Sequence, residues 1–329
     1  MNRHAPLRFG PSLRGALTVA AHEFRLRIRA GRWRWLLGAW FLSLFALTAG
    51  IRSALVRGGQ TSPGTDMFGG LMLTMLALAL LVVPALTAQS VNGDRLRGLL
   101  ATLQTTLLSP AEIAVGKLAA AWGTAIVFLI TAVPLALWCV AEGASALRVA
   151  VSLGITAVLL GVICSICLCL SAVLARTTTS GVLSYLAVFA LSIGTVIVFV
   201  LAVAATQTTE TRTTAAGTFE QIQAHPERVW WLLAPNPFVV VADAAPRALD
   251  RPDAGVRLDP LGAIGEVARS ARTPGSTVVN PNGIVELGQA AVWPYGLATN
   301  IVLGLGALII TTRRLRTPYT KLPKSVRVG

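Results

Sequence analysis

The sequence predicts an all-α, polytopic membrane protein, built as one bundle of six transmembrane helices. Hydrophobic residues make up 54% of the chain and charged residues only 13%, and the mean hydropathy is +0.68. A soluble domain carries about 25% charged residues. Six apolar runs reach the roughly 20 residues that a helix needs to cross a bilayer. They lie at about 33–51, 68–88, 118–140, 149–172, 181–205 and 293–312, which together define a transmembrane domain over 33–312.

The distribution of Lys and Arg predicts that both termini lie in the cytoplasm. With the N-terminus inside, the inner segments hold 18 basic residues and the two short outer loops hold 3. Such an excess marks the cytoplasmic side of a membrane protein. Residues 313–329 then form a basic cytoplasmic tail. The net charge of +14 is assigned to contacts with anionic lipid headgroups and not to nucleic acid, because no nucleic-acid recognition motif accompanies it.

The basic N-terminal arm, residues 1–34, contains an amphipathic pattern. Leu17, Ala21, Phe24, Ile28 and Trp35 fall on one helical face, and six arginines lie off it. We expect an interfacial helix that lies in the membrane surface with its apolar side down. The alternative is an unstructured basic arm.

The last connection, residues 206–292, is predicted to be a long extracytoplasmic loop. It carries seven Arg and nine acidic residues, and long loops cross the membrane largely regardless of charge. Residues 229–241 are apolar but broken by two prolines, so we expect a short interfacial or re-entrant element in preference to a seventh span. Residues 246–283, rich in Pro, Gly, Asp and Arg, are predicted to be exposed loop.

A polar insertion at 89–117 separates the second and third apolar runs and is predicted to form a cytoplasmic hairpin. Leucines at 96, 99, 100, 103 and 107 follow a helical period and predict an amphipathic coupling helix over 94–107. Ser109-Pro110-Ala111-Glu112 fits a capping box that starts the next helix. Lys117 is expected to extend to the headgroups. Such a hairpin either transmits a push to the third span or merely tethers two spans.

Sites for chemistry are not evident along the chain. Cys164 and Cys167 form a C-x-x-C pair, but inside an apolar run they are better explained as small buried hydrophobes than as metal or redox ligands. Gly116-Lys117 lacks the glycine spacing and the hydroxyl residue of a phosphate-binding loop. We therefore expect no catalytic residue, no metal site and no cofactor on this chain.

At the insertion, the chain resembles the permease subunits of type-2 ABC exporters. That family shows an acidic–basic pair, then Gly-Thr-Leu-Glu, then a Thr-Pro-Leu-Ser turn, then Glu-Ile and Gly-Lys. Leu99, Ala101 and Leu107 depart from this pattern, and the missing acid at 101 affects one contact to an ATPase. The resemblance implies that the following residues couple the chain to an ATPase: Asp94, Arg95, Arg97, Gly98, Leu100, Thr105, Thr106, Leu108, Ser109, Pro110, Glu112, Ile113, Gly116 and Lys117.

The resemblance further implies a multi-pass permease subunit in a bacterial cytoplasmic (plasma) membrane. Two such subunits, identical or different, would form the path, and each would dock a separate ATP-binding subunit that binds the ATP. The chain itself would not be an enzyme. The main alternative is a non-transporting sensor or scaffold that uses the 206–292 loop. A secondary transporter is disfavoured because the apolar runs lack ionisable groups away from their ends, and a membrane enzyme because its three His are far apart.

Overall fold

The computed structural model describes residues 12–28, 33–98, 108–214, 217–246, 259–273, 278–279, 285–286 and 290–316. The helices are α1 (Leu13–Ile28), α2 (Trp33–Arg57), α3 (Gly64–Thr87), α4 (Asn92–Leu96), α5 (Pro110–Ala141), α6 (Ala146–Val173), α7 (Thr177–Phe189), α8 (Thr195–Ala205), α9 (Pro237–Ala244), α10 (Pro260–Arg272) and α11 (Trp293–Arg316). A π-helical turn (Ala190–Gly194) joins α7 to α8, so that they form one continuous helix.

Six helical segments within the described residues are long and apolar enough to cross a membrane, as the sequence predicts. They are α2, α3 with its continuation into α4, α5, α6, the α7–α8 helix and α11. Several of the helices extend beyond the apolar runs. α5 begins eight residues before the predicted 118, and α2 ends six residues after the predicted 51. The apolar runs therefore mark the membrane-crossing part of helices that project further.

α3 lies at the centre of the bundle, against α2, α5 and α6. Its side chains at 67, 68, 71, 72, 75 and 76 are fully buried. The α7–α8 helix is peripheral, and Val182 and Leu201 on it are 67% and 64% exposed. So large an apolar surface requires lipid or another protein around it.

One end of the bundle gathers both ends of the described chain. Leu315, at the end of α11, packs with Val91, Ile113, Leu168 and Ala172 in one buried cluster. The same end carries α1, which packs against the start of α5. We call it the α1 end. Its assignment to the cytoplasm stays a prediction.

The opposite end carries a folded cap, which the described part of 206–292 forms. It contains the hairpin β1 (Thr208–Thr214) and β2 (Gly217–Gln223), the 3₁₀ turn Trp230–Leu233, and helices α9 and α10. A two-residue pairing of β3 (Val278–Val279) with β4 (Val285–Glu286) follows. We call this the cap end.

The apolar stretch 229–241 does not form a seventh span in the structure. It contains the short 3₁₀ turn and the first part of α9, which has only eight residues, far fewer than a bilayer requires. α9 is nevertheless buried along most of its length and packs against α6, α10 and α11. Asn236 caps its start and donates through Nδ2 to the Ser192 carbonyl, in the π-helical turn, at 2.6 Å.

The prediction that residues 246–283 are exposed loop is wrong for 260–272. Asp259 accepts from the Gly262 N–H at 2.8 Å and so starts α10, which buries Leu261, Gly265 and Ala268 against α3 and α9. These positions recur at the spacing of one helical face. The average composition of the longer segment hides this short periodic stretch.

The cap is fixed to the start of α11 by a buried carboxylate. Asp243 Oδ2 accepts from the N–H groups of Val292 and Trp293 at 2.6 and 2.7 Å. Its Oδ1 accepts from Arg269 Nε on α10. Asp243 is 1% exposed and Arg269 is 9% exposed. The buried carboxylate therefore connects α9, α10 and the start of α11.

Candidate functional site

The helix start predicted at Ser109 is confirmed, and its capping box is complete. Ser109 Oγ accepts from the Glu112 N–H at 3.3 Å, and Glu112 Oε2 accepts from the Ser109 N–H at 2.6 Å. Pro110 occupies the first helical position, where its missing N–H leaves no carbonyl without a partner. An N-cap of this kind stabilises a helix by about 1 kcal/mol. The first turn of α5 is therefore well defined.

The same carboxylate also holds the start of α1. Glu112 Oε1 accepts from the Ser12 N–H at 2.6 Å and from the Ser12 hydroxyl. Ser12 Oγ in turn accepts from the Gly15 N–H at 3.1 Å, next to the first turn of α1. One acidic side chain therefore joins the starts of two helices that are 100 residues apart in sequence.

Two glycines allow α1 and α5 to approach closely. A Cβ on Gly116 would lie 2.6 Å from Cβ of Val19 and 2.7 Å from the Ala16 carbonyl oxygen. A Cβ on Gly15 would lie 2.7 Å from Glu112 Oε1. At Gly116 no side chain fits without moving one helix, because a Cβ meets a backbone carbonyl, so Gly116 sets the distance between α1 and α5. At Gly15 the Glu112 side chain would have to move.

The face of α1 that packs against α5 coincides with the predicted apolar stripe only at Phe24, which is half-buried beside Gly123. Ala16 and Val19 are buried, whereas Leu17 on the stripe is 58% exposed. Small residues face α5 because the contact at Gly116 is too close for large ones. The side chain of Ile28 lies outside the described part of the chain. Contact of the stripe with lipid stays a prediction.

The sequence led us to expect that Lys117 extends to the headgroups, but in the structure it does not. Its side chain is 1% exposed, and Nζ donates to Glu23 Oε1 on α1 and to Asp94 on α4. The Glu23 and Asp94 side chains are 21% and 11% exposed. Because an isolated buried ammonium is strongly unfavourable, two carboxylates in contact with it keep the charge inside the protein.

Of the predicted coupling helix over 94–107, residues 94–96 are helical as part of α4, and the helix does not continue through 97 and 98. α4 ends at Leu96, and Gly98 follows with a φ of +71°. This left-handed conformation is common directly after a helix and is favourable mainly for glycine. Residues 99–107, among them the predicted site residues Leu100, Thr105 and Thr106, lie outside the described part of the chain.

The remaining predicted site residues divide into buried and exposed groups. Ile113 is buried, and Leu108 packs against its cluster. Arg97 is exposed on its side chain by 68% and pairs with Asp94 Oδ1 at 3.2 Å. Leu96, which is not one of the predicted site residues, is 54% exposed. Arg95 lies beside them on α4. The exposed side chains of Leu96 and Arg97 therefore lie together at the end of α4.

We call the contact between α1, α4 and the start of α5 the α1–α5 joint. It consists of Ser12, Val19, Glu23, Asp94, Glu112, Gly116 and Lys117. Sequence reasoning identified four of these residues and missed the three on and before α1. Glu23 carried a usable signal, because it is the only acidic residue among the first 65.

The described residues contain no group of three or more His, Cys, Asp or Glu side chains placed to hold a metal ion. Cys164 and Cys167 are buried thiols in α6 and are not joined in a disulfide. The arrangement at the α1–α5 joint is suited to transmitting force between helices, since it consists of buried ion pairs, a capped helix start and a close helix contact.

No protein-family model matches the chain, and no curated protein is significantly similar to it. The likeness to type-2 ABC permeases therefore rests on the motif around 94–117 and on the number of apolar helices.

Proposed function

We propose that the chain is the membrane-spanning permease subunit of an ATP-driven exporter and works with a separate ATP-binding subunit. The observation that carries the proposal is the α1–α5 joint, in which Lys117 on α5 is held between Glu23 on α1 and Asp94 on α4. Two elements at the α1 end, α1 and α4, are thereby connected to the long helix α5. A displacement of α4 or α1 is therefore transmitted directly to α5 through Lys117.

α5 is long enough to carry such a force to the other end of the protein. Its 32 residues correspond to about 48 Å at 1.5 Å per residue. At the cap end, Glu142 accepts from Arg52 Nε on α2 at 2.6 Å. Close-packed side chains transmit displacement and do not deform freely. Motion of α5 therefore moves α1 and α4 at one end and α2 at the other.

The ATP-binding subunit contacts the exposed residues at the end of α4 in this proposal, and not the joint itself. Leu96 and Arg97 are exposed, whereas Asp94 and Lys117 use their charges within the chain. The motif residues then have two roles. Those at the end of α4 meet the partner, and those in the joint pass its motion to α5.

The path for the substrate lies at a surface shared with a second permease subunit. The space between α3, α5 and α6 is filled by buried side chains, including Met75, Phe128 and Leu160. The α7–α8 helix and α2 present apolar surface on the outside of the bundle. Apolar runs without ionisable groups in their middle favour an external energy source over ion coupling.

Purification with a matched pair of variants tests this function. The tagged chain is isolated from its native membranes, reconstituted in lipid vesicles and assayed for associated ATP hydrolysis. Lys117→Gln breaks the joint at the start of α5, and Arg52→Gln breaks the ion pair at its far end. We expect Lys117→Gln to lower chain-dependent ATP hydrolysis by about tenfold, a coupling loss of about 1.4 kcal/mol, and Arg52→Gln to change it much less. Absence of ATPase activity from the wild-type preparation contradicts the proposal.

Thiol labelling tests the orientation that the proposal requires. Leu96→Cys and Val267→Cys place a thiol at positions of similar exposure, 54% and 59%, at the α1 end and in the cap. In intact cells an impermeant reagent is expected to label the cap variant only. After permeabilisation both react. Labelling of the Leu96 variant from outside would remove access for a cytoplasmic ATPase.

A sensor or scaffold is the second candidate, and the ordered cap favours it. The buried Asp243 contacts show that the cap is a defined structure and not a loose connection. This function predicts that Asp243→Ala abolishes the cellular phenotype of the chain while Lys117→Gln preserves it. The permease predicts loss with Lys117→Gln.

A further inference from the structure

A groove with a volume of about 280 Å³ runs between α5, α6 and α11 within the apolar part of the bundle. Leu118 and Trp122 form one wall, and Ile301 and Leu308 form the other. The polar groups of the groove are already satisfied. Trp122 Nε1 donates to the Ala157 carbonyl at 2.8 Å. The Ser165 hydroxyl donates to the Gly304 carbonyl of α11 at 2.7 Å. The surface left to a ligand is hydrocarbon.

The base of the groove is close-packed, with small residues at two positions. A Cβ on Gly161 would lie 3.2 Å from Trp122 Nε1, and one on Gly304 would lie 3.1 Å from Val162 Cγ2. The glycines thus let the indole and the valine settle against the helices and leave a narrow channel above them. A second helix, about 10–12 Å across, does not fit such a channel, whereas a single hydrocarbon chain does.

Positive charge is concentrated on α11 beyond the Leu308 end of the groove. Leu308, Thr312 and Arg316 follow one another on one face of α11 at four-residue spacing. Arg313 and Arg314 lie in the same last turn, and α11 contains no acidic residue. The other end of the groove, at Ile301, is about 22 Å from Arg316 along the helix. One leaflet with its headgroups is about 20–22 Å thick, so this length matches one lipid molecule.

We propose that the groove holds an acyl chain of an anionic phospholipid, with its phosphate bound by Arg316 at the end of α11. Arginine donates to phosphate oxygens in a charge-assisted, often bidentate geometry. The apolar wall selects the chain, and the basic last turn selects the headgroup. The site does not depend on the proposed transport function, because it uses neither the α1–α5 joint nor an ATPase.

Quenching of Trp122 fluorescence by brominated lipids tests the site in the full chain. The protein is placed in nanodiscs containing a small fraction of brominated phosphatidylglycerol or, in parallel, brominated phosphatidylcholine. Subtraction of the Trp122→Phe signal isolates the contribution of this indole from the other seven tryptophans. We expect the anionic lipid to quench Trp122 more strongly than the zwitterionic lipid at equal fraction.

Two pairs of variants separate a bound lipid from the surrounding bilayer. Val158→Phe narrows the groove, and Val151→Phe is its control, two turns away on α6 with nearly equal exposure, 37% against 38%. We expect loss of the anionic preference with Val158→Phe and its retention with Val151→Phe. Arg316→Gln is expected to lose the preference while both lipids still quench, and Arg313→Gln is expected to retain most of it.

Equal quenching by the two lipids in the wild type would overturn the proposal, since it indicates surrounding lipid only. Equal effects of Val158→Phe and Val151→Phe would also overturn it. Absence of quenching together with a dimer formed through this face would assign the groove to a second copy of the chain. If Val158→Phe fails to fold, the wild-type comparison and the Arg316→Gln result still decide.

Discussion

Replacement of Lys117 by Met tests how much the α1–α5 joint stabilises the protein. Methionine keeps the length and apolar volume of the lysine stem but leaves Glu23 and Asp94 without their shared cation. Removal of one partner from a buried ion pair costs about 3–5 kcal/mol. Because the two carboxylates are 21% and 11% exposed, water screens part of the remaining charge. We therefore expect the free energy of unfolding to fall by about 3 kcal/mol.

The matched control is the ion pair at the far end of α5. Arg52 and Glu142 are 40% and 20% exposed on their side chains, so Arg52→Met should cost about 1 kcal/mol or less. Equilibrium unfolding in mixed micelles, followed by tryptophan fluorescence, measures both variants.

A triple variant separates an uncompensated charge from lost packing. Glu23→Leu and Asp94→Leu combined with Lys117→Met remove all three charges, and replacing a buried ionic group by apolar residues is often close to neutral. The triple variant should therefore recover most of the stability lost in Lys117→Met. The reasoning is refuted if it recovers none, or if Lys117→Met and Arg52→Met cost the same.

Two further substitutions test other contacts in the structure. Gly116→Ala should destabilise by about 1–3 kcal/mol, because its Cβ meets Val19 and a backbone carbonyl. Gly154→Ala, where a Cβ meets nothing within 4 Å, should be neutral or stabilising in the same unfolding measurement. Asp243→Ala leaves Arg269 Nε and the backbone N–H groups of Val292 and Trp293 without their acceptor. Hydrogen exchange at Val292 should accelerate markedly, while exchange in α6 should not change; unchanged exchange at Val292 would show that Asp243 does not secure the cap.

Features set by length or by local spacing could be predicted from the sequence. Hydropathy over about 20 residues indicates a crossing helix because a bilayer has a fixed thickness. The capping box at Ser109 and Glu112 involves residues three apart, so its pattern is complete within one turn. The helix predicted over 94–107 is interrupted at Gly98, since the leucine stripe was given more weight than a residue that costs about 1 kcal/mol inside a helix.

Contacts between distant segments could not be predicted in this way. Lys117 meets Glu23 and Asp94, which are 94 and 23 residues away in sequence. The sequence around Lys117 showed only a basic residue directly before an apolar run. Such a residue is ordinarily expected to extend to the headgroups. The orientation of the Lys117 side chain depends instead on which helix lies beside it. That helix is α1, whose close approach Gly116 permits.

The burial of Gly116 and Lys117 indicates that these two motif residues make their contacts within the chain. In this chain the Gly-Lys pair allows α1 to approach α5 and neutralises two acidic residues, so it controls how α1 is held. In the proposed function, the ATP-binding subunit therefore contacts the exposed Leu96 and Arg97 and not the buried Gly116 and Lys117. Substitutions at the exposed pair should therefore weaken binding of the partner, whereas substitutions in the joint should leave binding intact and reduce the transmission of its motion. Binding of the ATP-binding subunit and stimulation of its hydrolysis, measured separately for Arg97→Ala and Lys117→Gln, distinguish the two roles.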